Sequence, residues 1–286
     1  MRYLAVVLAV TGMTHLSALA HRAIAADAAT ATAATRVQSP QILVIAHRGD
    51  SKVAPENTIP AFRSAVAAGS DLVELDYVHS ADGVPVVIHD DELDRTTNAC
   101  ALWGGSKIKV ATKQLAELRK LDAGAWFDEK FAGTALPTLD ESLDSIQPGS
   151  MTLIERKEGD PATCIELIKR KGVLDRVVVQ AFDWDYLEGC RKLSDDVVIA
   201  ALGHKEFTQQ KLAELARTGA QIVAWEDKHT DASTIAAIHA KGYKAWVWTV
   251  DSPERVAQLV AAKIDGIITN RPAATRAAIA AAQASK

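Results

Sequence analysis

The chain has 286 residues, of which 48% are hydrophobic, and its formal net charge is -4. This length and composition suffice for one large domain or two average ones with a sizeable core. The slightly acidic balance argues against a general nucleic-acid binder, and a mean hydropathy of +0.02 argues against a protein with many membrane spans.

The N-terminus is predicted to be a targeting segment outside the fold. A short basic start precedes an apolar run over 3–12, which is too short to span a bilayer. Two small-x-small cleavage sites follow, so 1–25 are predicted to be a signal peptide and 26–40 an Ala- and Thr-rich linker. We therefore expect a periplasmic or secreted protein with no stable membrane insertion after cleavage; an uncleaved anchor is the alternative.

From residue 41 onward, short β-branched runs alternate with amphipathic helical patterns. The runs predict strands that end near Ala46, Asp76, His89, Glu155, Gln180, Ala201, Ala224, Trp248 and Thr269. Helical periodicity predicts helices over 59–68, 160–171, 184–192, 209–218, 232–240 and 253–263. Repeated βα units indicate a parallel sheet, closed or open. The best-fitting fold class is α/β, a distorted (β/α)8 TIM barrel over 41–286.

The strand candidates exceed a (β/α)8 barrel by one. The link from Asp76 to Val84 is too short for a crossover helix, and its Asp82-Gly83 pair is typical of a turn. Either one run lies outside the barrel or this link is irregular. After the third strand, 91–140 contain aromatic residues and glycines but no clear strand. A long loop of this kind predicts an insertion that shapes a substrate pocket.

Acidic side chains lie at the ends of two predicted strands. Glu74 and Asp76 share one face of their strand and would repel each other unless a positive charge lay between them. Glu155 would add a third carboxylate. Three carboxylates suit Ca²⁺ or Mg²⁺, which prefer oxygen ligands, whereas zinc would favour more histidine. The alternative is that Glu74 and Asp76 form salt bridges with Arg48 or Lys157.

Two histidines, His47 and His89, also follow predicted strands, where (β/α)8 barrels place catalytic residues. A single histidine there is more often structural, but two around a same-face carboxylate pair favour acid–base catalysis. Arg48 could hold phosphate oxygens bidentately and Lys157 could do so as a point charge. With a bound metal, this set would suit a phosphate ester as substrate.

Nine short motifs together carry a family resemblance. They are AHRG (46–49), APENTIPAF (54–62), VELD (73–76), VIHD (87–90), LDRTT (93–97), GAWF (124–127), PTLDE (137–141), VWTV (247–250) and DGIIT (265–269). In this order and spacing, from about residue 42 to 272, the chain closely resembles the glycerophosphodiester phosphodiesterase family. The resemblance implies a phospholipase-C-like (β/α)8 barrel that binds Ca²⁺ or Mg²⁺ and hydrolyses small glycerophosphodiesters to sn-glycerol 3-phosphate and an alcohol.

The resemblance also implies roles for individual residues. The metal ligands would be Glu74, Asp76 and Glu155, and the catalytic pair would be His47 and His89. The phosphate and substrate contacts would come from Arg48, Lys157 and the aromatic wall Trp248, and the supporting loop would contain Glu56 and Asn57. One histidine would deprotonate water or the glycerol 2-hydroxyl, and the other would protonate the leaving alcohol.

The chain departs from the family pattern at Arg156, in Gln180-Ala181-Phe182 and in one further motif. The usual Thr-Asp-x-Pro reads Thr269-Asn270-Arg271-Pro272 here, which replaces a carboxylate by an amide without loss of an implied metal ligand. Two other functions stay open: a lysophospholipase D or sphingomyelinase D-like enzyme acting at a membrane, and a non-catalytic exported phosphodiester-binding protein. The insertion over 91–140 argues against the first, because sphingomyelinase-D-like relatives lack a matching one. The histidine pair argues against the second.

Overall fold

The computed structural model describes residues 31–284. In this part of the chain, eight parallel strands form a closed barrel: β1 (Leu43–Ala46), β2 (Leu72–His79), β4 (Met151–Arg156), β5 (Val177–Ala181), β6 (Val198–Gly203), β7 (Ile222–Glu226), β8 (Lys244–Trp248) and β9 (Gly266–Thr269). The barrel closes because β1 pairs with both β2 and β9. The predicted (β/α)8 fold is therefore confirmed.

The extra strand, β3 (Pro85–Val87), lies outside the barrel. It pairs antiparallel with the end of β2, with Val87 opposite Tyr77. The connecting turn contains Gly83 at a φ of +76°, a conformation that glycine adopts readily. The backbone N–H of Ile88 donates to the carbonyl of Asp76 at 3.0 Å. This hairpin carries the following histidine, His89, back to the carboxyl end of β2.

Eleven α-helices lie within residues 31–284. They are α1 (Ala33–Val37), α2 (Ile59–Ala67), α3 (Ala99–Trp103), α4 (Leu115–Leu118), α5 (Leu139–Ile146), α6 (Pro161–Arg170), α7 (Trp184–Leu193), α8 (Gln209–Glu214), α9 (Ala232–His239), α10 (Pro253–Ala261) and α11 (Pro272–Ala284). The six predicted helices are all present, although a 3-10 turn replaces the end of the predicted 209–218 helix. Five helices, α1, α3, α4, α5 and α11, were not predicted from the sequence. The first four have at most eight residues each, and α11 is rich in alanine and has little polar alternation.

The alternation of side chains along β2 positions the polar residues. Val73, Leu75 and Tyr77 point outward and pack in the core between the barrel and its helices. Leu72 points inward and packs with apolar residues of the neighbouring strands inside the barrel. Glu74 and Asp76 share this inward parity and are fully buried. The barrel interior is therefore apolar near the start of the strands and acidic near their ends.

A short N-terminal helix, α1, closes the amino end of the barrel. Ala33 and Val37 are buried against the first interior residues of the strands. The described part of the segment 26–40 thus differs from the predicted linker, because these two small apolar side chains find a matching apolar surface. The predicted signal peptide over 1–25 lies outside the described residues and stays a prediction. Between residues 31 and 284, no helix has the length and apolar character needed to cross a membrane.

Asp71 connects α1, α11 and β1 at the amino end of the barrel. Its side chain, 5% exposed, forms ion pairs with Arg36 of α1 and Arg276 of α11 and accepts a 2.8 Å hydrogen bond from the backbone N–H of Val44. We expect Asp71→Ala to lower the free energy of unfolding by about 1–3 kcal/mol, because it leaves a buried backbone donor without an acceptor. Urea unfolding measures the change.

The matched control for this prediction is Asp185→Ala. Asp185 pairs with Arg217 at the surface, where its side chain is 84% exposed, so its removal should cost at most about 1 kcal/mol. Equal losses in the two variants would contradict the role of Asp71.

Candidate active site

The carboxyl ends of the strands surround one cavity of about 160 Å³. Its lining residues come from six strand ends and the loop after β3, and they are His47, Arg48, His89, Glu155, Lys157, Gln180, Phe182, Leu202, Trp248 and Ile268. The structure therefore brings together the two predicted catalytic histidines, the two predicted phosphate-binding cations and one predicted metal ligand.

The turn after β1 aims the backbone and side chain of Arg48 into the site. Arg48 has a φ of +58° and Gly49 a φ of +84°. A Cβ at Gly49 would lie 2.7 Å from the backbone of Ala61, so this turn requires glycine on both grounds. The N–H of Arg48 donates to Glu74 at 2.6 Å, and its guanidinium donates to Glu56 at 2.8 Å.

Three carboxylates form a buried cluster beside this turn. One oxygen each from Glu74, Asp76 and Glu155 lies within 4.8 Å of the other two. Asp76 lies 3.1 Å from the ammonium of Lys157 and accepts a 2.8 Å hydrogen bond from the side-chain amide of Asn57. The predicted supporting role of the loop with Asn57 thus has a specific contact.

These carboxylates do not ionise alike. Burial, and then the charges of Asp76 and Glu155, raise the pKa of Glu74 well above its usual range. Burial and Asp76 raise the pKa of Glu155 to about 7. Burial opposes ionisation of Asp76 as well, but Lys157 and Arg48 outweigh it and hold the pKa of Asp76 below its usual value. Without a cation, Glu74 therefore favours its protonated form, whereas Glu155 titrates near neutral pH.

This arrangement fits a hard divalent cation. The donor set consists of carboxylate oxygens, as Ca²⁺ and Mg²⁺ prefer. Oε1 of Glu74 is buried and accepts no hydrogen bond from any residue between 31 and 284, so it is free to bind an ion. The alternative of salt bridges holds for Asp76, which pairs with Arg48 at 3.3 Å and with Lys157 at 3.1 Å, but within residues 31–284 no ion pair involves Glu74. Gln180 contacts the third carboxylate, since its side-chain amide donates to Glu155 at 3.2 Å.

Each histidine is held through its Nδ1 atom. Nδ1 of His47 lies 2.7 Å from the amide oxygen of Asn270, and Nδ1 of His89 lies 2.5 Å from a carboxylate oxygen of Asp90. Because both partners are acceptors, Nδ1 carries a proton in each ring, and Nε2 is the nitrogen left for the cavity. Burial, reinforced by Arg48, lowers the pKa of His47 to about 4.

Sequence reasoning assigned no role to Arg95, which links the two halves of the site. Its guanidinium donates to Asp90 at 2.6 Å and to both oxygens of Glu56, at 2.8 and 3.0 Å. Arg95 thereby holds the partner of His89 and the partner of Arg48. The sequence indicated a role for Arg95 only through its place in the LDRTT motif. No sequence pattern shows that its acceptor is Glu56, 39 positions earlier.

The insertion contributes to the site differently from the prediction. Among the described residues, none that lines the cavity comes from 91–140, so the insertion acts through Arg95 rather than as a pocket wall. Trp126, which is 41% exposed, meets Phe127 edge-on with ring centroids 5.7 Å apart, and neither residue lines the cavity.

Aromatic residues at the ends of β5 and β8 form the wall of the cavity. Trp248 lines the cavity as predicted and meets Phe182 edge-on, with ring centroids 5.6 Å apart. Trp246 shares the same face of β8 but is fully buried inside the barrel. Phe182 had no predicted role, although it follows a strand end.

Comparisons with known proteins find relatives that cover most of the chain. The model of the glycerophosphoryl diester phosphodiesterase family matches residues 47–274. A glycerophosphodiester phosphodiesterase from Caldanaerobacter subterraneus subsp. tengcongensis is 36% identical over 241 residues, which cover 80% of this chain and 94% of the relative. A phosphodiesterase from Oleispira antarctica, solved with the product sn-glycerol-3-phosphate, superposes with a TM-score of 0.78 at 27% identity, covering 85% and 99% of the two chains. A glycerophosphodiester phosphodiesterase from Agrobacterium tumefaciens superposes with a TM-score of 0.71 at 29% identity, covering 84% and 100%.

Proposed function

The chain belongs to the glycerophosphoryl diester phosphodiesterase family and is an enzyme of that class, and we propose that it hydrolyses glycerophosphodiesters to sn-glycerol 3-phosphate and an alcohol in a metal-dependent, histidine-catalysed reaction. The observation that carries the proposal is one cavity where both histidines and both cations lie beside the carboxylate cluster. A binding protein would not need two histidines with free Nε2 atoms on the same cavity.

Two cationic side chains, those of Arg48 and Lys157, would bind the phosphate group. Arg48 is held by Glu56, and Lys157 is held by Asp76. Burial alone would lower the pKa of Lys157, but Asp76 and Glu155 outweigh it and raise that pKa, so the ammonium stays charged at neutral pH. Fixed positive charges near the phosphorus stabilise the negative charge that develops in the transition state. A Ca²⁺ or Mg²⁺ bound by Glu74, Asp76 and Glu155 would supply further charge neutralisation at a phosphate oxygen.

The partners of the two histidines support different roles for them. His47 has a neutral amide as its partner, and its pKa of about 4 keeps it neutral, as a general base must be. His89 has the carboxylate of Asp90 as its partner, and this carboxylate favours the imidazolium form that a general acid needs. Burial still holds the pKa of His89 below its usual value, so the distinction between the two histidines rests on their partners, a carboxylate for His89 and an amide for His47. His47 would therefore take a proton from water or the glycerol 2-hydroxyl, and His89 would give one to the leaving alcohol.

The test is the release of sn-glycerol 3-phosphate from glycerophosphocholine by the purified protein, with Ca²⁺, with Mg²⁺ and with EDTA. We expect EDTA to abolish release and at least one of the two metals to restore it. No release under any of these conditions from a folded protein would contradict the proposal. Release of choline from lysophosphatidylcholine instead would favour a lysophospholipase D.

A further inference from the structure

The amide of Asn270 is held between His47 and a carboxylate outside the cavity, Asp251. Oδ1 of Asn270 lies 2.7 Å from Nδ1 of His47 and accepts a 3.0 Å hydrogen bond from the hydroxyl of Ser51. On its other side, the Asn270 amide group donates to Oδ2 of Asp251 at 2.8 Å, and the backbone N–H of Asn270 donates to Oδ1 of Asp251 at 2.8 Å.

These contacts admit one orientation of the amide. Burial raises the pKa of Asp251, but the hydrogen bonds from Asn270 and Thr269 outweigh it and hold that pKa below its usual value. An ionised carboxylate can only accept, so the NH₂ group of Asn270 must face Asp251 and its oxygen must face His47. A reversed amide would place two donor hydrogens against Nδ1 of His47 and would bring its oxygen against the Asp251 carboxylate.

We propose that Asp251 and Asn270 act as a pair of positioning residues that keep His47 in the tautomer with its proton on Nδ1, so that Nε2 can accept a proton from the nucleophile. Asp251 fixes the amide, and the amide fixes the imidazole. Neither residue lines the cavity. The pair deepens the proposed function and rests on it.

The amide also separates charge from the imidazole. A carboxylate at position 270 would favour the imidazolium form of His47, whereas the amide orients the ring without adding a negative charge beside it. The other charged groups that act on His47 are Arg48, which disfavours the imidazolium, and Asp76 and Glu56, which favour it. The negative charge lies on Asp251, which reaches His47 only through the amide of Asn270. His47 is therefore oriented and stays neutral.

Three variants test the pair: Asp251→Asn, Asn270→Ala, and the exchange Asp251→Asn with Asn270→Asp. We expect Asp251→Asn and Asn270→Ala each to lower kcat by about 10- to 100-fold with KM within about threefold of wild type, as part of the 10²–10⁴ that a positioned acid–base group supplies. In the exchange variant, the new carboxylate at position 270 accepts from Nδ1 of His47, and the new amide at position 251 donates to that carboxylate. It should recover kcat to within about threefold and shift the acidic limb of the pH–rate profile to higher pH.

A second readout does not depend on activity. In protein labelled with ¹⁵N-histidine, the shifts of the two ring nitrogens report the His47 tautomer, with His47→Gln used for assignment. Wild type and the exchange should hold the proton on Nδ1, and Asp251→Asn should mix the two tautomers. The control Asp231→Asn changes a helix-capping aspartate away from the site, where asparagine caps equally well, and should match wild type in both readouts.

The outcomes separate this inference from the proposed function. A folded Asp251→Asn variant with the wild-type kcat or the wild-type tautomer overturns the inference, while hydrolysis by the wild type still supports the proposed function. If the wild type hydrolyses no glycerophosphodiester, the proposed function fails. The ¹⁵N shifts of His47 then show by themselves whether Asp251 and Asn270 fix its tautomer. If Asp251→Asn does not fold, Asn270→Ala decides: an unchanged kcat or an unchanged Nδ1 proton overturns the inference.

Discussion

Replacement of His89 by alanine is expected to lower kcat by about 10²–10⁴-fold without changing the fold, because it removes a general acid from the reaction. The imidazole lies on the cavity, and its Nδ1 proton is engaged by Asp90, which leaves Nε2 to give a proton to the leaving alcohol. His47→Ala should cause a loss of similar size by removing the base. The measurement is product release under saturating substrate and metal, with circular dichroism as the check on folding.

The matched control is His229→Ala. His229 lies away from the cavity, and its ion-pair contact is with Glu226 at 3.8 Å. This variant should retain wild-type turnover. If His89→Ala turned over substrate at nearly the wild-type rate while remaining folded, the assignment of His89 to acid catalysis would be wrong.

Glu74→Gln is expected to remove metal binding without destabilising the metal-free protein. Burial and the two neighbouring carboxylates already favour the protonated form of Glu74, which a glutamine side chain resembles. In wild type, Ca²⁺ or Mg²⁺ at about 100 times its Kd should stabilise the fold by about 2.7 kcal/mol. The variant should lose this gain, and kcat should fall by about 10²-fold or more, because metal charge neutralisation contributes several kcal/mol.

Thermal unfolding with EDTA, Ca²⁺ and Mg²⁺ measures this effect. Asp76→Asn provides a contrast, because it removes the carboxylate that Arg48 and Lys157 share and leaves each of these largely buried cations with one anionic partner, Glu56 or Glu155. It should therefore lower the unfolding midpoint even in EDTA. Glu166→Gln, on the exposed face of α6, should behave as wild type. A Glu74→Gln variant that kept the full metal-induced stabilisation would exclude Glu74 as a ligand.

The class of site could be predicted because its signals are local. Alternation along a strand puts Glu74 and Asp76 on one face, and parallel strands end at one edge, so the histidines and Glu155 were expected to meet them. The family motifs added the roles of these residues. The antiparallel β3 was left open because periodicity cannot distinguish a barrel strand from a hairpin strand.

The partners of the catalytic residues could not be predicted in the same way. Arg95 reaches Glu56 across 39 positions, and Asn270 reaches His47 across 223. Nothing in local composition indicates which long-range donor and acceptor will meet. The same holds for α1. The sequence predicts a linker at Ala33 and Val37, and only the structure shows that both pack against the apolar end of the barrel.

The amino-acid sequence by itself determined the barrel, the motifs of the family and the residue types that line the cavity, because periodicity and strand-end chemistry are properties of neighbouring residues. Only the tertiary structure decided which carboxylates have a raised pKa and which nitrogen of each histidine is left for the cavity. It also decided that Asp251 accepts a hydrogen bond from the side-chain amide of Asn270. Those properties depend on burial and on distances between residues far apart in the chain, which exist only once the chain has folded.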